Sequence, residues 1–598
     1  MKLSDYVLDF VRAQGVQDVF LLAGGGAMHL NDSLGKSGLN YICNLHEQAC
    51  AIAGEAYAKY DTRLGVVMIT VGPGATNTIT GLAGAFMDST PMLFLSGQVK
   101  RADLKGDSGV RNRGVQEVDI VTIVQSITKY AVTVTDPMTI RFHLEKAVHL
   151  AMNGRPGPVW IDIPLDVQAS QIDVEKLEGF TPDQSSRGLS SEALKKKVAQ
   201  VIELLGAAER PYLLFGNGVR LATAQNEMQQ VIEALQMPFG LTWLAMDLAP
   251  SDHPLMVGRP GPMAPRGANF ALQNCDFLLT IGARMDLVMV AFAPERLARA
   301  ARKVMVDIDE KEIAKMERFL EVAICADARD FLRELLAQLP AMKRPNRDAW
   351  QQRCAEWRSK YPLVLSEHRD RDEPVSMFYF TEILCEEMGE DDLLVSGSSG
   401  NAIETLLLAF RPKKHQRVIF TTALGAMGFG LPASIGGCIA HGKRRTICVD
   451  GDGGFQMNIQ ELETVARLQL PIKFFVVNNN GYGSIVASQK LYFGRLVGAD
   501  PSSNLTLPNI TRVAAAYDLA THRITDQRNL RAELREILDA PGPMVCEVMM
   551  VPDEPRQPRV SSMQKPDGTM VSKPLEDMFP FLEREEFLAN MIVPPVEE

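Results

Sequence analysis

Short apolar runs alternate with amphipathic helical patterns along almost all of the 598 residues, and this alternation restricts the fold more than any other feature. A short apolar run predicts a strand that is buried on both faces, and the helical pattern after it predicts a crossover to a parallel neighbour. The sequence therefore predicts an α/β protein built on parallel sheets. The predicted strands are Val19–Ala23, Gly65–Thr70, Met92–Ser96, Val159–Ile163, Tyr212–Phe215, Phe277–Ile281, Val304–Ile308, Leu393–Ser396, Val418–Thr421, Thr446–Asp450, Lys473–Val477 and Val545–Met549.

The predicted strands fall into three blocks of similar size. One hydrophobic core cannot serve the whole chain, because domains usually have ~100–200 residues. The polar stretch 179–191 predicts a linker after the first block, and the pair Leu339-Pro340 marks the end of the second. We expect three doubly wound parallel-sheet domains and a C-terminal tail, at residues 1–180, 190–345, 370–552 and 553–598. The proline- and charge-rich tail is expected to be either a mobile flap over a site or a solvated end.

Charge and composition exclude several classes of protein. The net charge of -11 argues against a nucleic-acid or anionic-membrane partner, since those partners select basic surfaces. No apolar run approaches the ~20 residues of a membrane span, and the chain begins directly with an amphipathic pattern rather than a signal peptide. The nine cysteines are dispersed, and the nine histidines have no ligand spacing. We therefore expect a cytoplasmic protein without a zinc site, a nucleic-acid partner or a membrane partner.

The most informative motif is Val449–Phe455, which reads Val-Asp-Gly-Asp-Gly-Gly-Phe and follows a predicted strand. A strand that runs into such a turn and then a helix places a carboxylate at the carboxyl edge of the sheet, where α/β sheets bind ligands. A second predicted strand ends in Asn478–Gly481 and would bring an amide oxygen to the same edge. Mg²⁺ prefers such oxygen ligands. A Gly-Asp-Gly turn alone is common, so the hypothesis depends on the pairing of the two motifs.

A second candidate is Glu47, which follows a strand-like segment and begins an alanine-rich helix. A glutamate in this place is also compatible with a simple favourable charge at a helix N-terminus. Two glycine-rich loops accompany it, at Gly24–Gly26 and at Val71–Asn77. Each loop alone is weak evidence, so their order along the chain relative to Glu47 carries the interpretation.

Asp452 and Asn479 lie 27 residues apart, and the paired motifs resemble the metal–diphosphate motif of thiamine-diphosphate enzymes. The resemblance covers nearly the whole chain and is to the acetolactate (acetohydroxyacid) synthase branch of that superfamily. It implies that Asp452, Asn479 and the carbonyl group of Gly481 hold a magnesium ion that bridges to the diphosphate of the cofactor. The expected cofactors are thus thiamine diphosphate and Mg²⁺.

The same resemblance implies roles for further residues. Glu47 would hydrogen-bond the aminopyrimidine ring and promote its imino tautomer, and Gln116 would lie near the reacting carbon. Met427 would wedge between the two rings and bend the cofactor, which is an orientation effect on the reacting groups. The other expected cofactor-binding residues are Gly25, Pro73, Asn77, Ser399, Gly400, Asn401, Gly425, Gly451, Gly453, Gly454 and Tyr482.

The middle block resembles the branch of the family that carries a structural flavin. Each of its motifs is short and is also compatible with an ordinary turn or strand end. The residues expected to bind FAD are Arg155, Gly216, Gly218, Gly261, Arg284, Asp307 and Asp327. In this family the cofactor lies between the first domain of one subunit and the third domain of another, so the resemblance implies a homodimer or homotetramer.

The implied reaction is decarboxylation of a 2-oxo acid, expected to be pyruvate, with ligation of the acyl unit to an acceptor carbonyl. Ser488 stands where the family usually has a tryptophan, and Leu165 replaces a family lysine, so we expect an altered and more open acceptor pocket. Alternatives are acetyl transfer to a nucleotide-linked keto sugar, a CoA thioester or phosphate, and simple decarboxylation. A nicotinamide-dependent oxidoreductase is disfavoured, because no GxGxxG follows a strand. Intact Glu47, Asp452 and Asn479 disfavour a non-catalytic homologue.

Overall fold

The computed structural model describes residues 1–183, 189–371, 374–398, 400–552, 554–564 and 570–596. It contains three six-stranded sheets in chain order, and neighbouring strands in each sheet run parallel. Helices cover both faces of each sheet, so that separate apolar cores form on its two sides. The predicted α/β fold with three doubly wound parallel sheets is confirmed, while the domain boundaries stay a prediction.

The first sheet contains β1 (Asp18–Leu21), β2 (Asn40–Cys43), β3 (Gly65–Ile69), β4 (Met92–Gln98), β5 (Tyr130–Thr133) and β6 (Pro158–Pro164), in the order β2-β1-β3-β4-β6-β5. Its helices are α1 (Leu3–Ala13), α2 (Met28–Lys36), α3 (Glu47–Asp61), α4 (Pro73–Thr76), α5 (Ile79–Met87), α6 (Ile120–Val124), α7 (Ile140–Met152) and α8 (Leu165–Gln168). The inner strands β3, β4 and β6 are buried along their whole length, whereas the edge strands β2 and β5 are partly exposed.

The middle sheet contains β7 (Pro211–Phe215), β8 (Phe239–Leu241), β9 (Met256–Gly258), β10 (Phe277–Ile281), β11 (Arg302–Asp307) and β12 (Val322–Cys325), in the order β12-β11-β10-β7-β8-β9. The helices that follow α8, as far as residue 369, are α9 (Ser191–Ala207), α10 (Gly218–Leu221), α11 (Gln225–Leu235), α12 (Arg266–Asn274), α13 (Glu310–Ala314), α14 (Ala328–Gln338), α15 (Asp348–Lys360) and α16 (Ser366–Arg369). Its two central strands, β7 and β10, are completely buried.

The third sheet contains β13 (Leu393–Ser396), β14 (Arg417–Ile419), β15 (Thr446–Gly451), β16 (Ile472–Asn478), β17 (Ala520–Ile524) and β18 (Met544–Met549), in the order β14-β13-β15-β16-β18-β17. Its helices are α17 (Met377–Glu387), α18 (Glu404–Ala409), α19 (Gly430–Ala440), α20 (Asp452–Phe455), α21 (Leu462–Leu468), α22 (Gly483–Phe493), α23 (Ile510–Ala515) and α24 (Leu530–Asp539). The tail adds a two-stranded antiparallel ribbon, β19 (Ser562–Gln564) with β20 (Met570–Ser572), and α25 (Arg584–Asn590).

The first and third sheets share one strand order, and the middle sheet has another. Numbered within each sheet, the first and third both follow 2-1-3-4-6-5, whereas the middle follows 3-2-1-4-5-6. The middle order is that of dinucleotide-binding sheets, which bind ligands where the order reverses, at the carboxyl ends of the two central strands. In the middle sheet those two strands are β7 and β10.

Helix α3 of the first sheet packs along helix α19 of the third sheet. A Cβ atom on Gly436 would lie 1.8 Å from the carbonyl oxygen of Ala53, so the two backbones can approach this closely only at a glycine. Glu461 is fully buried nearby and accepts hydrogen bonds from Asn44 Nδ2 at 2.9 Å and from the Leu45 N–H at 2.8 Å. The first and third units are therefore firmly joined within one chain.

The described end of the tail packs on the middle unit. Arg266 of α12 donates to the carbonyl oxygen of Met578 at 3.0 Å, and the indole N–H of Trp357 donates to Asn590 Oδ1 at 2.8 Å. These contacts are buried, so neither of the expected states, a mobile flap or a solvated end, describes residues 575–593. The sequence misses this because the buried apolar residues of the tail, Leu575, Met578, Phe587 and Val593, lie at irregular intervals. Within the described residues, no helix combines the length and the hydropathy that a membrane crossing requires.

Candidate active site

The carboxyl edge of the third sheet gathers the residues proposed to bind a metal. Strands β15 and β16 are parallel neighbours, and α20 begins with Asp452 directly after β15. The Asp452 carboxylate accepts a hydrogen bond from the N–H of Gly481 at 3.1 Å and another from the N–H of Gly453 at 2.8 Å. Asn479 lies in the same turn, where its Nδ2 atom would be 2.3 Å from a Cβ atom on Gly483. The two motifs thus meet at one point of the sheet edge.

Asp452 is a buried carboxylate that lacks a cationic partner among the described residues. Burial raises the pKa of Asp452 to about 6, although the backbone N–H groups of Gly481 and Gly453 act to lower it. A carboxylate that is costly to ionise in this way is stabilised when a cation binds beside it. Its oxygen atoms and those of the neighbouring turn form a donor set suited to a hard cation.

Three residues proposed for the cofactor surround one another beside this edge. A Cβ atom on Gly453 would lie 2.3 Å from the Tyr482 ring and 3.5 Å from Met427 Cε, so these two side chains enclose the glycine. Gly451 ends β15, and Gly454 lies within α20. The carboxyl edge of the third sheet therefore brings together the glycine turn, the aromatic ring of Tyr482 and the thioether of Met427.

Two further glycines face open space. Gly400 and Gly425 both have positive φ, of 50° and 62°, and a Cβ atom on either would have no atom closer than 3.6 Å. Their open faces could accommodate a ligand that comes close to the backbone. Asn401 Oδ1 accepts a bond from Thr405 at 3.4 Å, and Ser399 lies outside the described residues.

The carboxyl edge of the first sheet gathers the second set of proposed residues. Glu47 begins α3, is 9% exposed, and accepts a hydrogen bond from Asn77 Nδ2 at 3.0 Å through Oε2. Its other oxygen would lie 3.5 Å from a Cβ atom on Gly74, and Pro73 begins the same short helix α4. The loop after β3 therefore lies directly against the carboxylate of Glu47.

Gln116 and Gly25 lie at the same edge. Gln116 has a positive φ of 61°, and its carbonyl oxygen would be 2.2 Å from a Cβ atom on Gly72, so the two loops are in close contact. The loop of Gly25 is tied to β3 by a 3.0 Å hydrogen bond from the Gly26 N–H to Thr70 Oγ1. A Cβ atom on Gly25 would have no neighbour within 4 Å, which leaves that face accessible to a ligand.

The two sets of residues lie on different sheets of the chain. Among the described residues, no hydrogen bond links Glu47 or Asn77 to Asp452, Asn479 or Gly481. Both sets lie on carboxyl edges of sheets with the same strand order, yet each edge holds only one of the two carboxylates.

A cavity of about 840 Å³, here called the central cavity, lies at the carboxyl ends of β7 and β10. All but one of the residues proposed to bind FAD line it: Arg155, Gly218, Gly261, Arg284, Asp307 and Asp327. Gly216 lies behind the wall, where a Cβ atom would be 2.1 Å from the carbonyl oxygen of Gly282. The cavity continues to Glu404 and Gly425 of the third unit.

Two charged groups already occupy part of the cavity wall. Arg155 pairs with Asp309 at 2.9 Å and with Glu312 at 2.7 Å, and Arg284 donates to the carbonyl oxygen of Met87 at 2.7 Å. Burial raises the pKa of Asp307 and of Asp327. The volume is within the range of ligand pockets, which is ~300–1,000 Å³.

Two buried glutamates at the site escaped the sequence analysis. Glu461 joins the first and third units, and Glu117 collects three backbone N–H groups in the loop that carries Gln116. Neither lies in a pattern that distinguishes it from an exposed acid. The only available signal was the position of Glu117 directly after a candidate residue in an irregular segment.

Family comparisons agree with this geometry. Three family models match the chain, described as the N-terminal TPP binding domain, the central domain and the C-terminal TPP binding domain of thiamine pyrophosphate enzymes, at residues 1–123, 198–335 and 398–548. The chain is 31% identical over 574 residues to the probable acetolactate synthase large subunit of Methanocaldococcus jannaschii, with 93% of each chain covered. It is 33% identical over 560 residues to the acetolactate synthase isozyme 2 large subunit of Escherichia coli (strain K12), covering 92% of this chain and 95% of that one.

The fold, the residues at the carboxyl edges of the sheets and the matching family models together define an enzyme that binds thiamine pyrophosphate, another name for thiamine diphosphate. Within that class, the chain belongs to the acetolactate synthase-like family of thiamine-pyrophosphate-dependent carboligases.

Proposed function

We propose that this enzyme decarboxylates pyruvate and ligates the acyl unit to an acceptor carbonyl, with thiamine pyrophosphate held through Mg²⁺. The proposal rests on the hydrogen bond between the Gly481 N–H and the Asp452 carboxylate, beside Asn479, at the carboxyl edge of the third sheet. Buried Glu47 lies at the carboxyl edge of the first sheet, which has the same strand order. Its relatives are named acetolactate synthases, which agrees with this reaction.

The proposed magnesium ligands are the carboxylate of Asp452, the amide oxygen of Asn479 and the carbonyl oxygen of Gly481. No group of three or more His, Cys, Asp or Glu side chains suitable for a metal occurs in the described part of the chain. A single carboxylate with neutral oxygens fits Mg²⁺, because this ion usually completes its shell with water and phosphate oxygens. The phosphate oxygens would come from the cofactor.

Glu47 is proposed to hold a proton against the aminopyrimidine ring. When bound, thiamine pyrophosphate supplies the carbon nucleophile and the electron sink that decarboxylation requires. Asn77 donates to one oxygen of Glu47 and so fixes the direction of the carboxylate, which leaves the other oxygen for the ring. Met427, which flanks Gly453 together with Tyr482, would contact the cofactor and orient its reacting groups.

A second copy of the chain is proposed to complete each site, in a homodimer or homotetramer. The two carboxylates lie at the edges of different sheets, and the resemblance to thiamine-diphosphate enzymes implies that each site combines the edges of two subunits. Helix α22, which follows the metal turn, has no buried residue in this chain, and its Leu491 and Phe493 are 66% and 74% exposed. Apolar side chains so exposed beside a functional site indicate a surface that a partner covers.

FAD is proposed as the occupant of the central cavity. The strand order of the middle sheet, the position of the cavity at β7 and β10, and the buried Asp307 at the end of β11 support this proposal. Asp307 could accept hydrogen bonds from ribose hydroxyl groups, as an acid at a strand end does in dinucleotide sites.

The acceptor side of the site is proposed to be more open than in acetolactate synthases. Ser488 lies on the exposed face of α22, and its hydroxyl group donates to the carbonyl oxygen of Ile485 at 3.1 Å, one turn earlier. A small side chain in this place leaves room that a large aromatic one would fill.

Isotope-labelled pyruvate tests the proposal. The purified enzyme is incubated with thiamine pyrophosphate, Mg²⁺ and labelled pyruvate, alone and with a series of acceptors: a second 2-oxo acid, an aldehyde and a nucleotide-linked keto sugar. Labelled carbon dioxide and a ligated product that needs both cofactors are expected. Release of carbon dioxide without any ligated product would reduce the function to simple decarboxylation, and no release at all would contradict the proposal.

A further inference from the structure

The loop that carries Gln116 is long and irregular, yet it must present one side chain at a fixed place. This loop, residues 99–118, is called the Gln116 loop and joins β4 to α6. Apart from a short 3-10 helix at Arg101–Asp103, its described residues have no regular structure, and Val115 at its tip is 85% exposed. A segment without a ladder of backbone bonds needs side chains to satisfy and fix its backbone.

Glu117 provides this fixation from inside the loop. Its side chain is 6% exposed. Its Oε1 atom accepts the Lys105 N–H at 2.5 Å, and its Oε2 atom accepts the N–H groups of Arg113 at 2.9 Å and Gly114 at 3.2 Å. One carboxylate therefore closes the loop across 12 residues.

Its charge state suits this role. Burial acts to raise the pKa of Glu117, but the three backbone N–H groups outweigh it, and the pKa lies below its ordinary value. The group is then ionised at neutral pH, and bonds to an ionised acceptor are the stronger kind.

Two neighbours hold the flanks of Gln116. Gln98, the last residue of β4, donates to the carbonyl oxygen of Val118 at 3.0 Å. On the other side, the Gln116 carbonyl lies against Gly72, where any Cβ atom would be 2.2 Å away. The positive φ of 61° at Gln116 is unfavourable for a residue with a side chain, so it persists only because these contacts enforce it.

We propose that Glu117 is a positioning residue that holds Gln116 over the thiamine site. The proposal rests on the proposed function, which gives Gln116 its place near the reacting carbon. Glu117 is buried and its oxygens are engaged by backbone N–H groups, so it acts through the loop and not on the substrate. Loosening the loop should therefore lower kcat while leaving cofactor affinity and global stability unchanged.

The test is a graded series in the full-length enzyme with thiamine pyrophosphate and Mg²⁺. Glu117→Gln keeps one acceptor oxygen, and Glu117→Ala keeps none. Glu145→Gln is the matched control, because Glu145 lies in the same unit, is half-buried, and accepts a single loop N–H from Phe180 at 2.6 Å far from Gln116. For each variant, kcat and KM for pyruvate, cofactor affinity and the thermal midpoint are measured.

Limited trypsin digestion supplies a readout that does not depend on turnover. Lys105, Arg111 and Arg113 are cleavage sites within the Gln116 loop, and the latter two are exposed. Cleavage there reports on local opening, because a protease cuts a segment only when it leaves its native conformation. The rate is measured by mass spectrometry of the peptides, with the cofactors bound.

We expect the variants to rank in the same order in kcat and in the rate of loop cleavage. We expect kcat to fall about 10-fold in Glu117→Gln and about 100-fold in Glu117→Ala, because small displacements of a reacting group have effects of this size. Loop cleavage should accelerate in the same order, and Glu145→Gln should match the wild type. Wild-type cleavage in Glu117→Ala, or faster cleavage with unchanged kcat, would overturn the proposal.

Failure of the proposed function would look different. In that case, wild-type enzyme would release no carbon dioxide from pyruvate, while the cleavage series would still report whether Glu117 orders the loop. Unchanged cleavage across the series would overturn the positioning role even in a fully active enzyme.

Discussion

The carboxyl edges of the first and third sheets are built on the same strand order, but they treat their carboxylates differently. Glu47 is held by one side-chain amide, whereas Asp452 is bound by backbone N–H groups of its own turn and of the turn after β16. A carboxylate bonded once from the side, as Glu47 is by Asn77, has one oxygen available for the ring nitrogen proposed as its partner. One buried in a turn, with a pKa raised to about 6, is suited to a cation. The same architecture thus holds its two carboxylates in two different ways, which suits the two different roles proposed for them.

Removing the acid of the first edge should have the largest effect. We expect Glu47→Gln to lower kcat by about 1,000-fold, because a positioned proton-transfer group contributes ~10²–10⁴-fold. Cofactor binding and the thermal midpoint should change little, since Gln keeps the shape and the bond to Asn77. Steady-state kinetics with pyruvate check this. The control is Glu463→Gln, which changes an exposed glutamate in α21. Wild-type turnover in Glu47→Gln would show that the carboxyl edge of the first sheet is not part of the active site.

Removing the acid of the third edge should act on binding rather than on proton transfer. We expect Asp452→Ala to weaken Mg²⁺-dependent binding of thiamine pyrophosphate by at least ~100-fold, because loss of even an outer-shell contact costs ~10–100-fold in metal affinity. Calorimetric titration of the cofactor at several Mg²⁺ concentrations measures the change. If Asp452→Ala bound the cofactor normally and lost only turnover, Asp452 would not act in cofactor binding, and the proposed difference between Asp452 and Glu47 would be wrong.

The middle sheet offers a contrast with both edges. We expect Asp307→Ala to weaken FAD binding by about tenfold, the size of one hydrogen bond to a charged group. The affinity for thiamine pyrophosphate should stay at the wild-type level, because Asp307 ends β11 of the middle sheet and is not among the residues proposed to bind that cofactor. The visible absorbance of the purified protein and a titration with FAD give the measurement. A wild-type protein that neither contains nor binds flavin would refute the FAD proposal.

A smaller effect should separate structural carboxylates from functional ones. Asp162 on β6 is fully buried, and burial raises its pKa to about 7, although Ser96, Gln98 and Thr133 donate to it. A carboxyl group whose pKa is higher in the folded state favours folding when protonated, so its contribution declines as the pH rises from about 4 to 7. We expect Asp162→Asn to reduce the decline between pH 5 and pH 8 by roughly 2–3 kcal/mol. Denaturant unfolding at pH 5 and pH 8 tests it, and an unchanged decline would show that Asp162 does not titrate in this range.

Most inner strands could be predicted from the sequence, whereas β14 is the only one of the six edge strands of the three large sheets that was predicted. Each predicted strand coincides with an observed strand, because central strands of parallel sheets are continuous apolar runs. In the three large sheets, the strands that escaped are β2, β5, β8, β9, β12 and β17, all at or next to sheet edges, and the tail strands β19 and β20 also escaped. The edge strand β17, with its exposed Ala520 and Thr521, has no such apolar run. A three-residue strand such as β8 is too short to show any periodicity.

The site was predictable to the same limited extent. Motifs such as Asp452 with Asn479 can be identified because their residues follow strand ends in a fixed order. Glu117 and Glu461 could not be identified, because their importance comes from burial against loops that are distant in sequence or irregular. The burial of a single acidic residue produces no periodic pattern in the sequence.

Co-assembly of two inactive variants tests most directly whether the two edges of different subunits form one site. Glu47→Gln and Asp452→Ala are expressed together, so that subunits pair at random and about half of the dimers are hybrids. Each hybrid would contain one site with both carboxylates intact, and the mixture should recover about a quarter of wild-type activity. Activity no higher than that of the separate variants would contradict a site shared between subunits.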